Sequence, residues 1–279
     1  MIVVTGANGH LGRLVIEELE QRVPTEKIVA AVRSPEKASD LGVEVRHADY
    51  DRPETLASAL AGAEKVLLIS GSEVGKRVPQ HTAVVTAAKQ AGVHHLVYTS
   101  APRADSTPLV LAPEHKATEQ VIRDSGLTYT ILRNNWYVEN YAQSIAQAAE
   151  TGVYLGSAGE GRVAAAPRAD YAAAAAAVLT GAGHENRIYE LSGDVAFTYA
   201  DLAAAIAAAT GRQIVYRDVT AEEHRATLAA AGLPPEVVDL VTTLDANTAD
   251  GLLAETSGEL RALLGRPTTP LAESVLATL

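Results

Sequence analysis

The sequence predicts an α/β protein: a doubly wound parallel sheet with a smaller, mostly helical C-terminal lobe. Three observations predict it. Short β-branched runs alternate with Ala/Leu/Glu-rich stretches of helical periodicity up to about residue 196. Runs such as Val66-Leu67-Leu68-Ile69 are continuously apolar, which suits strands covered on both faces. A glycine-rich turn joins the first strand candidate to the first helix candidate, the position at which open α/β sheets hold ligands.

In chain order the expected strands are Ile2–Thr5, Ile28–Val32, Val43–His47, Val66–Ser70, His95–Thr99, Tyr129–Leu132 and Ile188–Leu191. Between them lie helix candidates at Leu11–Gln21, Pro53–Ala61, Val78–Ala91 and Glu114–Asp124. Pro53 fits the first helical position, and Gly62 and Gly92 fit helix ends. The alanine run Ala172–Ala177 reads as a close-packed helix with Asp170 as its N-cap. Beyond Phe197 the alternation gives way to helical patterning with one short strand near Ile214–Tyr216. The expected division is therefore 1–196 for the sheet domain and 197–279 for the lobe, with residues 134–154 also available to the lobe.

Composition excludes several classes of function. Lys and Arg number 23 against 34 Asp and Glu, a formal charge of -11, whereas nucleic-acid binding normally shows a basic face. Hydrophobic residues at 47% and charged residues at 20% fit a packed core. With no cysteine, thiolate zinc sites, iron–sulfur ligation and a cysteine nucleophile are all absent. The histidines show no H-E-x-x-H pattern, and His94 and His95 point to opposite faces on a strand, so no metal site is expected. No apolar run approaches the ~20 residues that span a bilayer. The opening Met1–Gly6 lacks a charged region before its apolar run. The expectation is a cytoplasmic protein without membrane insertion.

The strongest motif is Thr5-Gly6-Ala7-Asn8-Gly9-His10-Leu11-Gly12. Its glycines allow a tight turn, close backbone approach to a pyrophosphate and close helix–strand packing. The helix that follows turns its free N–H groups and positive dipole end toward the phosphates. Arg33 follows the second strand candidate where an NAD site carries an acid, and Lys37 lies one turn on. A guanidinium there can hold a 2′-phosphate by paired hydrogen bonds, so the expected cofactor is NADPH. Asp49 and Tyr50, Ser70 through Gly75, Thr99-Ser100 and Arg133 through Tyr137 follow later strands and would face the same crevice. Trp136 fits either a substrate wall or a plug at the lobe interface. The stretch Gly71–Arg77 imitates a phosphate loop, but its glycine spacing is one short and no Ser or Thr follows Lys76. No G-x-S-x-G elbow exists.

With these segments in view, the chain resembles the NmrA-like, atypical branch of the short-chain dehydrogenase/reductase superfamily along essentially its full length. The resemblance rests on Thr5–Gly12, Ala31-Val32-Arg33, His47-Ala48-Asp49-Tyr50, Leu68–Gly75, Pro79-Gln80-His81, Tyr98-Thr99-Ser100, Leu132–Tyr141 and Arg168-Ala169-Asp170-Tyr171. Within that branch, Ser72-Glu73-Val74-Gly75 and Asn135-Trp136-Tyr137-Val138-Glu139-Asn140 look like the bacterial type 2 quinone reductases more than the triphenylmethane reductases. The resemblance implies a Rossmann sheet in which Gly6, Ala7, Asn8, Gly9, His10, Leu11, Gly12 and Arg33 hold NADPH. It further implies that Ser70, Glu73, Val74, Gly75, Tyr137, Val138, Glu139, Asn140 and Arg168 line the crevice for cofactor and quinone.

One departure from the wider superfamily constrains the chemistry. Its usual tyrosine stands four residues before a lysine, yet Ala112 stands four before Lys116. Reducing a ketone leaves a basic alkoxide that needs a positioned proton donor. Reducing a quinone leaves a phenolate whose conjugate acid resembles tyrosine, at a pKa of ~10. Hydrogen bonds can stabilise such an anion until water protonates it. The sequence therefore fits hydride transfer to an electron-poor conjugated acceptor better than alcohol dehydrogenation. The resemblance implies that this acceptor is a quinone and the donor NADPH, with His81, His115, Asn134 and Tyr137 as candidates to orient the acceptor. A non-catalytic NADP(H) sensor and a dye reductase remain the alternatives at this stage.

Overall fold

Side chains alternate across the central strands and so divide the core in two. In β1 (Ile2–Thr5), Ile2 and Val4 enter one apolar cluster and Val3 the other. In β2 (Ile28–Val32), Ile28, Ala30 and Val32 join the first and Val29 and Ala31 the second. Both faces of these strands are buried, which is why they read as unbroken apolar runs.

The computed structural model spans all 279 residues. After β1 come α1 (His10–Glu20), β2, β3 (Glu44–His47), a 3-10 turn at Pro53–Thr55 leading into α2 (Leu56–Ala59), and β4 (Lys65–Leu68). Next are α3 (Arg77–Gln90), β5 (His95–Ser100), α4 (Ala112–Ser125) and β6 (Tyr129–Asn134). Then follow α5 (Ala142–Thr151), β7 (Val153–Gly156), β8 (Arg162–Val163), α6 (Arg168–Thr180) and β9 (Arg187–Leu191). The chain finishes with β10 (Phe197–Thr198), α7 (Tyr199–Thr210), β11 (Val215–Asp218), α8 (Ala221–Ala230), α9 (Pro235–Ala249), α10 (Glu259–Leu264) and α11 (Leu271–Thr278).

Seven strands form one sheet in the order β3-β2-β1-β4-β5-β6-β9, every pair parallel. The order reverses between β1 and β4, and the crevice outside their carboxyl ends is where a doubly wound sheet binds ligands. α6 packs against α1 and α10 through alanines that are almost fully buried, so small side chains there permit close helix approach.

The lobe is not confined to residues 197–279. β7 pairs parallel with β11 and β8 antiparallel with β10, which draws the chain after β6 into it. Val138, Tyr141, Ile145 and Tyr154 share its apolar cluster with Tyr199, Leu202 and Ile206. Conversely, α10 packs back on α6 and β9 of the sheet domain.

One cap differs from expectation. Pro167, not Asp170, precedes α6, and the Glu139 carboxylate accepts the Arg168 N–H at 2.9 Å. Asp170 lies one turn in, fully buried, and accepts from Thr269 N and Arg266 Nη2, each at 2.7 Å. A local cap residue was outcompeted by partners nearly a hundred positions away.

Candidate functional site

The first turn after β1 is shaped by its glycines. Gly6 adopts φ +63°, a left-handed conformation in which a side chain is strained. A Cβ on Gly12 would lie 2.5 Å from the Gly6 carbonyl oxygen and 2.6 Å from Ala7 Cα, so only glycine lets α1 start this close to the turn. α1 has no side-chain N-cap and no acid in its first turn, which leaves its leading N–H groups and dipole end for an anion. Arg13, one turn in, hydrogen-bonds the Asn8 side chain, the Lys37 carbonyl at 2.8 Å and Asp40 at 2.7 Å.

This turn opens onto a crevice of about 560 Å³. Its floor is Gly6, Asn8, Gly9, His10, Leu11 and Gly12. At one end stand Arg33, Ser34 and Lys37, and beside them Asp49, Tyr50 and Asp51 from the β3 end. Ser70, Gly71, Ser72 and Glu73 form the wall after β4, and Thr99, Tyr137 and Arg168 close the opposite end. Arg33 is well exposed and lies 3.4 Å from Glu73. The hydrogen bond from Lys76, at 2.9 Å, holds the Glu73 carboxyl below its usual range. Tyr50 donates to the Ile69 carbonyl at 3.0 Å, which ties the β3 end to the β4 end.

At the far end Asn134 Nδ2 donates to the Tyr137 hydroxyl at 3.0 Å, while Asn134 Oδ1 is buried without a partner. The Arg168 guanidinium carbon sits 4.7 Å from the Tyr137 ring centre, and Tyr171 packs edge-on against that ring at 5.1 Å. Arg168 Nη2 donates to Asn140 Oδ1 at 2.6 Å. Burial raises the Tyr137 phenol above its ordinary range, so it stays protonated at neutral pH.

Several expected site residues lie elsewhere. His81 is fully buried beneath the crevice: Nε2 accepts from Gly71 N and Nδ1 meets Thr118 Oγ1, both at 2.9 Å. His115 is also buried, 2.8 Å from the Tyr98 hydroxyl. Neither lines the crevice, because both stand on the inner faces of α3 and α4, which turn the rings into the core. Ala7 and Val138 are buried in apolar clusters. Val74 and Gly75 turn away from the crevice, Val74 to solvent, and Glu139 and Asn140 act on Arg168 rather than on the cavity. Ser100 donates to buried Glu119 at 2.7 Å, and Lys116 donates to the Asp105 carbonyl at 2.9 Å on the surface. Trp136 packs against the lobe's cluster. Gln80 and Asp51 line the crevice and are bonded to each other at 3.1 Å; sequence reasoning assigned neither a role. Gln80's place in the matched Pro79-Gln80-His81 segment was the one available signal.

Fold and crevice together define a dinucleotide-binding Rossmann protein. The chain belongs to the NAD(P)H-binding family, whose profile matches residues 6–182. It is 50% identical to quinone oxidoreductase 2 of Escherichia coli, over 99% of this chain and 97% of that one. The crystal structure of an E. coli NADPH-dependent quinone oxidoreductase complexed with NADPH superposes with a TM-score of 0.95 at 50% identity, covering 99% and 98% of the two chains. Triphenylmethane reductase of a Citrobacter species, complexed with NADP(H), gives a TM-score of 0.96 at 40% identity over both full lengths. An NmrA-like family domain-containing oxidoreductase of Aspergillus flavus is 32% identical over 98% of this chain and 93% of its own.

Proposed function

We propose that this protein is an NADPH-dependent quinone reductase. The observation that carries the reading is one continuous crevice. It runs from a glycine turn and an exposed guanidinium at Arg33 to a protonated Tyr137 held by Asn134, with no Tyr-x-x-x-Lys pair. The 50% identity to the E. coli enzyme over nearly the full length of both chains supports the same substrate class.

The glycine cradle fits a pyrophosphate, because Gly6, Gly9 and Gly12 leave no side chain between it and the N–H groups of α1. Asn8, His10 and Leu11 line the same floor, and Arg33 with Ser34 and Lys37 offers donors to a 2′-phosphate. Glu73 and Ser70 lie along the adenosine path. NADPH supplies the hydride, two electrons with one proton, and water supplies the second proton of the hydroquinone.

The protein's own residues then have three tasks. The crevice must bring the acceptor carbon or oxygen within about 3–3.5 Å of the donor, and its walls must limit water. Tyr137 must meet the oxygen on which charge develops. Asn134 Nδ2 donates to the phenol oxygen, which leaves the phenol proton free to point into the crevice. Because burial raises its phenol, Tyr137 keeps its proton and donates a hydrogen bond. Arg168, 4.7 Å from the ring centre, adds positive potential at the same end.

The test is NADPH oxidation by the purified protein against benzoquinones, naphthoquinones, triphenylmethane dyes and simple ketones. Rapid turnover with quinones and none with ketones is expected. Binding of NADPH without oxidation by any quinone would refute the reading. The 40% identity to the Citrobacter enzyme makes dyes the second acceptor class, since a triphenylmethane cation also takes hydride without needing a general acid.

A further inference from the structure

The loop between β4 and α3 forms a crevice wall through Ser70, Gly71, Ser72 and Glu73. Its main chain is gripped from below by side chains of α3 and α4. Gly71 donates its N–H to His81 Nε2 at 2.9 Å, and its carbonyl accepts from Arg77 Nε at 2.7 Å. Gly75 donates to Glu114 Oε1 at 3.0 Å, and the other oxygen of that carboxylate accepts from Arg77 at 3.3 Å. His81 and Arg77 are only 0% and 8% exposed.

One fixed donor sets the direction of this whole chain of bonds. A backbone N–H can only donate, so His81 Nε2 must accept, and the ring proton must sit on Nδ1. Nδ1 then donates to Thr118 Oγ1 at 2.9 Å, and the Thr118 hydroxyl donates in turn to the Glu114 carbonyl at 2.9 Å. Every donor in the path has an acceptor. The tautomer that Gly71's N–H requires is therefore completed by a hydroxyl on a different helix, which accepts from Nδ1.

We propose that Arg77, His81 and Glu114 are positioning residues for cofactor binding. They fix the main chain of Gly71–Gly75 before any ligand arrives, and so hold Ser70, Ser72 and Glu73 in place for the adenosine half of NADPH. A loop ordered in advance loses less conformational freedom on binding than one ordered by the ligand. The proposal rests on the NADPH reading above.

Thr118→Val tests it with almost no change of volume. Without the hydroxyl, Nδ1–H has no acceptor; a proton moved to Nε2 would face the Gly71 N–H donor to donor. Losing one buried hydrogen bond predicts a rise of about tenfold in the NADPH KM, with kcat within about twofold. Amide exchange at Gly71, measured without cofactor, should accelerate by about the same factor. His81→Gln, which offers an acceptor and a donor on one amide, should keep an NADPH KM near that of the wild type; His81→Leu should not. This second pair carries the test if Thr118→Val fails to fold. Unchanged KM and Gly71 exchange in Thr118→Val and His81→Leu, or equal behaviour of His81→Gln and His81→Leu, would overturn the proposal. Failure of the wild type to bind NADPH would sink the functional reading and with it the cofactor role proposed for these residues, whereas NADPH binding with Gly71 exchange unchanged in Thr118→Val and His81→Leu would overturn the clamp alone.

Discussion

The Arg33 guanidinium lies 3.4 Å from the Glu73 carboxylate, which Lys76 reaches from the other side at 2.9 Å. An acid is thus held beside the group that would meet a 2′-phosphate, and the pair spans the crevice mouth between the β2 and β4 ends. All three side chains are exposed enough for salt to screen them, so the pairing steers Arg33 more than it stabilises the fold.

Arg33→Asp should therefore weaken NADPH by about a hundredfold, the scale of a charge-assisted bond of about 3 kcal/mol. NADH should lose no more than about threefold, since only NADPH carries the extra phosphate. Calorimetric titration with each nucleotide measures the ratio, and equal losses would remove Arg33 from the phosphate site.

Tyr137→Phe keeps the ring that Tyr171 and Arg168 pack against and deletes only the hydroxyl. We expect kcat with a quinone to fall by about a hundred- to a thousandfold, as for removal of one donor to a developing oxyanion. The NADPH dissociation constant should change less than about threefold. Loss of cofactor affinity with unchanged kcat would move Tyr137 from acceptor to cofactor binding.

Burial, aided by the Arg77 charge, lowers His81 to about 4 and His115 to about 3. His81 faces Arg77 on its own helix, Tyr50 and Tyr98 by their rings, and Thr118 on α4. In the unfolded chain both histidines titrate near 6.5, so between that pH and about 4 only the unfolded state takes up their protons. Stability should hold above pH 6.5 and fall as pH drops toward 4, by up to about 1.4 kcal/mol per pH unit for each ring. Urea midpoints from pH 8 to pH 4.5 measure this, and His81→Gln should make the slope shallower.

Gly12→Ala drives a methyl to 2.5 Å from the Gly6 oxygen, against backbone that cannot rotate away. It should destabilise by about 1–3 kcal/mol and abolish NADPH binding. Gly9→Ala, whose methyl would lie 3.3 Å from the same oxygen, should do neither to the same degree. Thermal melts with and without NADPH separate the two effects.

The central strands were legible because burial on both faces makes β1, β2 and β4 into short apolar runs rich in Val, Ile and Leu. The glycine turn was legible because its spacing is a steric requirement, visible at Gly12. The lobe was harder to read: β7 and β11 pair across sixty residues, and neither shows a partner in its own segment. Histidine suits an acceptor site by its chemistry, but a residue's identity does not tell which way a helix face turns, and His81 and His115 face the core. Asp170 carried the composition of a cap, yet its carboxylate answers to Arg266 and Thr269.

That buried Asp170 has a consequence for biosynthesis. The helix bearing Arg168 is clamped by residues 266 and 269, which are made long after it. Until they arrive, a negative charge on α6 faces apolar surroundings without its donors, an expensive state. The crevice therefore reaches its finished form only once residues 266–269 are in place, and a nascent chain cut short before residue 266 should be captured by chaperones or proteases rather than by nucleotide.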